Sequence, residues 1–279
     1  LNDLTGTEWI KATKSWLVCD SKRYRQNRRT ELHPARYPEE LVAEFLRFFT
    51  KRGGWVLDPF CGSGATLVAA LEEGRNAVGI ELSERYATMA GSRLSGLRNG
   101  CAAEVLHADA REVSSPELWA DARLGTAADG LPRFDFIMTS PPYWNMLRTS
   151  RGGVHSTHKQ RAEAGLDTDY GDSDGNLGAI TDYEQFIEEL GRAFEGCARL
   201  LKPRKYMVIV VQNVRVPEGH VRPLAWDLAR RVGETPGLSF QGERIWCQDS
   251  KKLGIGGYPT VFVPNYHHHY CLIFQKRDA

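Results

Sequence analysis

No stretch of this sequence stays apolar for the ~20 residues that a membrane-spanning helix requires, so no membrane partner is expected. No signal-peptide pattern opens the chain: Lys11 and Lys14 stand among polar residues, and no apolar segment follows them. The chain does not begin with methionine, which points to a processed or trimmed start. Its six cysteines are scattered from Cys19 to Cys271 without a Cys-x-x-Cys pair. That argues against a disulfide framework and a zinc site, and for a reducing, cytoplasmic setting. No Gly-Lys-Ser or Gly-Lys-Thr follows a glycine-rich turn, so a phosphate loop of the Walker kind is not expected. Internal repeats are also lacking.

Excess charge is nearly absent too. The formal net charge is +1, which neither demands nor excludes nucleic acid. Its distribution is uneven. Between Lys11 and Arg36 eight basic residues face only Asp20 and Glu31. Residues 1–37 therefore read as a basic N-terminal arm able to hold phosphates. A solvated arm without a ligand accounts for the same residues.

What is present is a strand-and-helix alternation in a chain of 279 residues, 42% of them hydrophobic. This suits a single α/β domain over 1–279. Short β-rich runs fall at Trp55–Phe60, Asn76–Leu82, Glu104–His107, Phe134–Thr139 and Tyr206–Gln212. Helical patterns fall at Ala65–Glu73, Glu84–Leu97, Tyr183–Leu201 and Leu224–Val232, the third stopped by Pro203. Such alternation predicts a mainly parallel sheet covered on both faces. Phe240–Gln248 and His268–Lys276 lack a helix between them and predict an antiparallel hairpin at one edge. Ligands of such sheets sit beyond the carboxyl ends of the strands, and Asp58, Glu81, Asp109 and Ser140 all fall there. Trp16, Trp226 and Trp246 are expected in the core.

Two motifs carry chemistry. In Asp58-Pro59-Phe60-Cys61-Gly62-Ser63-Gly64, glycines after a strand let the backbone approach a ligand and free helix amides for it. Glu81 follows Gly64 by 17 residues, at the next strand end, where a carboxylate accepts the hydrogens of a ribose diol. A plain tight turn and a helix N-terminal charge beside Ser83 are the bland alternatives. In Thr139-Ser140-Pro141-Pro142-Tyr143-Trp144, two prolines rigidify a strand end and leave carbonyls free to accept. An exocyclic base amine is a poor nucleophile because its lone pair is conjugated into the ring. Acceptors aimed at its hydrogens favour a pyramidal nitrogen that can attack. The Ser140 hydroxyl and the Pro141 carbonyl suit that task, and Tyr143 offers a stacking face. Cys61 reads as a small packing residue rather than a nucleophile. His267 and His269 share one face of a strand, but no carboxylate stands at ligand spacing, so no metal is expected.

Asp58–Gly64, Gly79–Leu82, Ser140–Tyr143 and His33-Pro34-Ala35-Arg36-Tyr37-Pro38 together resemble the DNA amino-methyltransferases, the N4-cytosine/N6-adenine family. The resemblance runs from about His33 to Lys276, with gaps in loops. It implies a Rossmann-like seven-stranded methyltransferase fold with an antiparallel β-hairpin edge, and S-adenosylmethionine as cofactor. It implies that Asp58, Phe60, Gly62 and Gly64 contact the methionine part and that Glu81, followed by Leu82, holds the ribose. Asp109 and Ala110 would meet the adenine, and the His33–Pro38 segment, with His33 and Pro34 as contacts, would close over the methionine end. Ser140, Pro141, Pro142 and Tyr143 would be catalytic. A Ser at the first catalytic position is typical of N4-cytosine enzymes, so the expected activity is methylation of a flipped cytosine in double-stranded DNA. N6-adenine methylation, an RNA or protein amide substrate, and a non-catalytic DNA-binding regulator remain as alternatives. No large recognition domain is visible. Residues 144–179 are a candidate target-recognition insertion, with Trp144, Arg148 and Arg151 as substrate contacts, and 249–265 a second candidate DNA-contacting loop. A cognate restriction endonuclease acting on the same site and a homodimer are the further partners the resemblance implies.

Overall fold

The computed structural model describes residues 1–20, 37–97, 100–144, 175–216, 218–251, 253–255 and 257–278. Eight strands form the main sheet, in the order β1-β9-β10-β6-β5-β2-β3-β4. They are β1 (Trp16–Val18), β2 (Trp55–Asp58), β3 (Asn76–Glu81), β4 (Ala103–His107), β5 (Phe134–Thr139), β6 (Leu201–Val211), β9 (Leu238–Cys247) and β10 (His268–Lys276). β7 (Val214–Arg215) and β8 (Val221–Arg222) make a separate antiparallel pair. β2 to β6 are parallel, and β10 runs antiparallel between β6 and β9. All seven strands read from the sequence form, in the arrangement of a Rossmann-like methyltransferase sheet. The eighth, β1, pairs parallel with β9 and lies outside the hairpin.

Alternation along the strands sorts the core into two layers. In β6, Met207, Ile209 and Val211 face one cluster, while Val208 and Val210 face the other. The first layer is covered by α5 (Tyr183–Leu200) and α6 (Leu224–Gly233), the second by α2 (Glu39–Phe49) and α3 (Ala65–Glu72). α2 buries Leu41, Val42, Phe45, Leu46 and Phe49, one face of a 3.6-residue period. In α5, Tyr183, Phe186, Ile187, Leu190 and Phe194 repeat the pattern, and the Asp182 carboxylate caps the helix by accepting from the Gln185 amide at 2.7 Å. α4 (Glu84–Ser95) connects β3 to β4.

Three expectations need correction. Pro203 does not separate α5 from its strand: β6 begins directly at Leu201. The register against β5 jumps from Phe134↔Leu201 to Phe136↔Tyr206, and Arg204 takes a left-handed φ of 63°, so Lys202–Lys205 bulge out without ending the ladder. Trp16 and Trp226 are not core residues. They are 47% and 45% exposed, because β1 is an edge strand and Trp226, though it meets the Tyr270 ring of β10 edge-on, is not covered, while Trp246 is buried. Nor is 1–37 wholly an arm, since Gly6–Ala12 is a capped helix, α1, and β1 joins the sheet.

The strand order reverses between β2 and β5, and their carboxyl ends therefore flank an open crevice. No helix among the described residues is long and apolar enough to cross a membrane.

Candidate active site

Behind β2 the chain makes a tight turn that only glycine permits. Gly62 and Gly64 have φ of 51° and 82°, and a Cβ on Gly64 would stand 3.0 Å from that of Ala90 on α4. The turn is braced from three sides. The Glu81 carboxylate accepts from the Gly62 amide with one oxygen and from the Ser83 amide with the other, both at 2.9 Å. Arg93 donates to the Ser63 carbonyl at 2.5 Å and pairs with Glu39 of α2. Below, Cys61 rests on Gly79, where a Cβ would come within 2.7 Å of the thiol sulfur. Burial pushes the Cys61 thiol well above its ordinary value, in keeping with a packing role.

Asp58 is buried and accepts four hydrogen bonds, from the Phe60 amide (3.1 Å), Thr139 Oγ1 (2.6 Å), Thr66 Oγ1 (2.5 Å) and Tyr37 Oη (3.0 Å). One carboxylate thereby joins the segment before α2, the start of α3 and the end of β5. Burial raises its pKa, and the four donors oppose that rise. Burial likewise raises Glu81, against its two backbone amides.

Ser140 follows β5. Its hydroxyl donates to Tyr143 Oη at 3.4 Å, and Tyr143 in turn donates to the Val210 carbonyl at 3.4 Å. Tyr143, expected to offer an open stacking face, is only 7% exposed, since its ring packs into the core beside β6 and β10. Trp144 packs edge-on against Tyr183, and its indole nitrogen is buried without a hydrogen-bond partner among the described residues.

Asp58, Phe60, Gly62, Glu81, Leu82, Asp109, Ala110, Ser140 and Pro142 line one crevice of about 900 Å³, its open mouth included. Gly64, Pro141, Tyr143 and Trp144 stand outside its lining. His33, Pro34, Arg148 and Arg151 lie outside the described residues. Tyr37, of the His33–Pro38 segment expected at the methionine end, also lines it. So do Tyr86, Gly175, Asn176 and Leu177, which were not singled out from the sequence; Gly175 and Asn176 lie in a polar tract with no local signal. Asp109 is not open on all sides: Arg111 donates to it from the backbone and the guanidinium, and also reaches the Gly175 carbonyl and Glu189. Gly175, with φ of 94°, comes so near that a Cβ would lie 2.8 Å from both Asp109 Oδ2 and Arg111 Nη2.

The crevice combines the Glu81 carboxylate, apolar walls at Phe60, Leu82 and Ala110, and a hydroxyl at Ser140. Among the described residues no group of side chains could hold a metal ion.

A family model described as DNA methylase, for the N6 and N4 methyltransferases, matches residues 6–92. The type II methyltransferase M.MthZI of Methanothermobacter thermautotrophicus is 41% identical over 61 residues, 22% of this chain and 17% of that protein. M.BglI of Bacillus subtilis is 38% identical over 85 residues, 30% of this chain and 23% of that protein. The matches thus span under a third of the curated relatives' length. The crystal structure of TrmN from Thermus thermophilus superimposes with a TM-score of 0.49 at 18% identity, over 85% of this chain and 48% of that one. The family match covers the glycine turn and Glu81 and ends before Ser140.

Proposed function

We propose that this chain is a DNA amino-methyltransferase, as the match of residues 6–92 to the DNA methylase model supports, and that it methylates N4 of a cytosine flipped out of double-stranded DNA. The observation that carries this reading is the sharing of one crevice by Glu81 and Ser140, the diol acceptor and the amine acceptor. S-adenosylmethionine is the cofactor and supplies an electrophilic methyl group. The residues present fit it. Glu81 keeps a lone pair on each oxygen beyond its two amide bonds, enough for the ribose hydroxyls. The positive φ at Gly62 brings backbone, not side chain, to the crevice, where the methionine end would lie. Leu82 and Ala110 offer apolar walls for the adenine, with Asp109 beside them.

On the base side, the Ser140 hydroxyl donates its hydrogen bond to Tyr143 Oη, which leaves the lone pairs of the Ser140 oxygen free to accept from the N4 amine. The Pro141 carbonyl accepts the second amine hydrogen. The two acceptors draw the nitrogen toward a pyramidal shape, and holding it beside the donor crevice supplies much of the acceleration. Tyr143 is then a positioning residue, and Trp144 is the first residue of the candidate recognition insertion. A neutral hydroxyl at position 140 both accepts from N4 and can turn to donate toward ring N3, the pattern of cytosine.

Labelled methyl transfer to unmodified plasmid DNA, digested to nucleosides and resolved by mass spectrometry, tests the reading. N4-methylcytosine is expected. N6-methyladenine alone overturns the cytosine assignment, and transfer to RNA but not DNA overturns the DNA assignment.

A further inference from the structure

Four large apolar side chains stand in solvent on the loop between β9 and β10: Leu253 (78% exposed), Ile255 (92%), Tyr258 (82%) and Phe262 (85%). Apolar groups so far out of the core mark an interaction surface. They are held there by a built turn. The Asn265 side chain donates to the Gly254 carbonyl and accepts from its amide, at 3.0 and 2.8 Å. The amides of Thr260 and Val261 donate to the Gly257 carbonyl, and at Gly257, with φ of 71°, a Cβ would collide with the Val261 carbonyl at 2.1 Å.

Placement and charge identify the occupant. His268 pairs with Cys247, and Tyr270 with Val211, so the loop leaves the sheet at the carboxyl end of β6. Thr139 pairs with Ile209, so Ser140 emerges at that same end. From Ser250 to Arg277 the sequence holds no Asp or Glu, while Lys251, Lys252 and His267–His269 flank the apolar residues. The Lys251 ammonium is held close by the Tyr266 carbonyl at 2.6 Å. Apolar side chains flanked by Lys251 and Lys252, with the carboxylates Asp249 and Asp20 back at the loop's root, where Asp20 accepts from the Ser250 amide, complement a stack of bases framed by phosphates.

We propose that these residues form a wedge that enters duplex DNA beside the flipped base, with Tyr258 and Phe262 filling the gap the base leaves. The inference rests on the base-flipping reading above and assigns the loop's part in it. Flipping disrupts stacking, and a side chain in the gap offsets that loss.

The test uses the full chain and a 24-base-pair duplex containing a target site mapped by sequencing modified plasmid DNA. One version contains the target site, and the other is a scrambled duplex without it, in which no base is flipped and no gap opens. Phe262→Ala and Tyr258→Ala should each weaken binding to the target duplex about tenfold, the scale of one lost aromatic stack. Binding to the scrambled duplex should change less than about twofold, and S-adenosylmethionine binding and thermal midpoint should not change. Equal losses on both duplexes, or no loss on either, would overturn the wedge alone. So would a concentration-dependent dimer that both variants abolish in sedimentation, which would assign the loop to a second copy of the chain. A wild-type chain that methylates no DNA would overturn the functional reading, and the wedge with it.

Discussion

Replacing Thr139 with valine removes one hydroxyl at nearly constant volume, and the consequences can be worked out from Asp58. The Thr139 hydroxyl donates to Asp58 Oδ1 at 2.6 Å, both groups buried. A hydrogen bond to a charged group contributes about 1.5–3 kcal/mol, and three donors remain to the carboxylate. A loss near the lower end of that range, about 1.5–2 kcal/mol, is therefore expected. The loss should depend on pH with a definite sign. Burial already holds Asp58 above its ordinary pKa, and Thr139 is the largest of the contributions lowering it. Removing that donor raises the folded-state value further. The destabilisation should thus be greatest at neutral pH, where Asp58 is ionised, and should shrink as pH falls and the carboxyl protonates in both proteins. Urea unfolding of the two proteins at pH 7.5 and at about pH 4 measures both quantities. A difference below about 0.5 kcal/mol at neutral pH, or one that does not change with pH, would refute the account of Asp58 as the buried hub of the site.

Other outcomes follow from the same geometry. Ser140→Ala should abolish methyl transfer while leaving S-adenosylmethionine affinity intact in calorimetry; undiminished turnover would remove Ser140 from the mechanism. Because burial raises Glu81, cofactor affinity should decline as pH falls at values above the usual glutamate range, and Glu81→Gln should be weak and flat with pH. A Glu81→Gln protein that keeps the wild-type affinity and pH profile would exclude the diol role. Gly175→Ala adds a Cβ at left-handed φ and 2.8 Å from Asp109, so a stability loss of about 1–3 kcal/mol and weaker cofactor binding are expected. Calorimetry and urea unfolding that match wild type would show that this close approach is dispensable.

Local chemistry was legible in the sequence wherever it is written in consecutive residues. The strand ending at Asp58, the glycine turn and Glu81 could be placed because their spacing follows from one β-turn-α-β unit. The hairpin of β9 and β10 was legible because no helical pattern separates them. Two kinds of feature were not. Trp16 and Trp226 were misplaced because residue type alone does not say which side of an edge strand or helix faces water. Gly175 and Tyr143 were unread in their structural roles because both depend on chain segments distant in sequence, Asp109 with Arg111 for one and Val210 for the other. Arg204 shows the same limit, since its left-handed backbone lets β6 start early in spite of Pro203.

The three-residue strand β1 has a consequence for how the protein is handled. It is fastened to β9 by the Ile245 amide to Ser15, the Cys19 amide to Cys247 and the Arg244 guanidinium to Lys14, while the buried Trp246 indole donates to the Cys19 carbonyl. A protein trimmed to begin at the glycine-turn domain would lose all of these at once. The outer rim of β9 would then be an unpaired ladder beside an orphaned indole, and such rims recruit strands from other molecules. A dimer observed with that trimmed protein would report the exposed rim, so the native state of association must be measured with residues 1–20 in place.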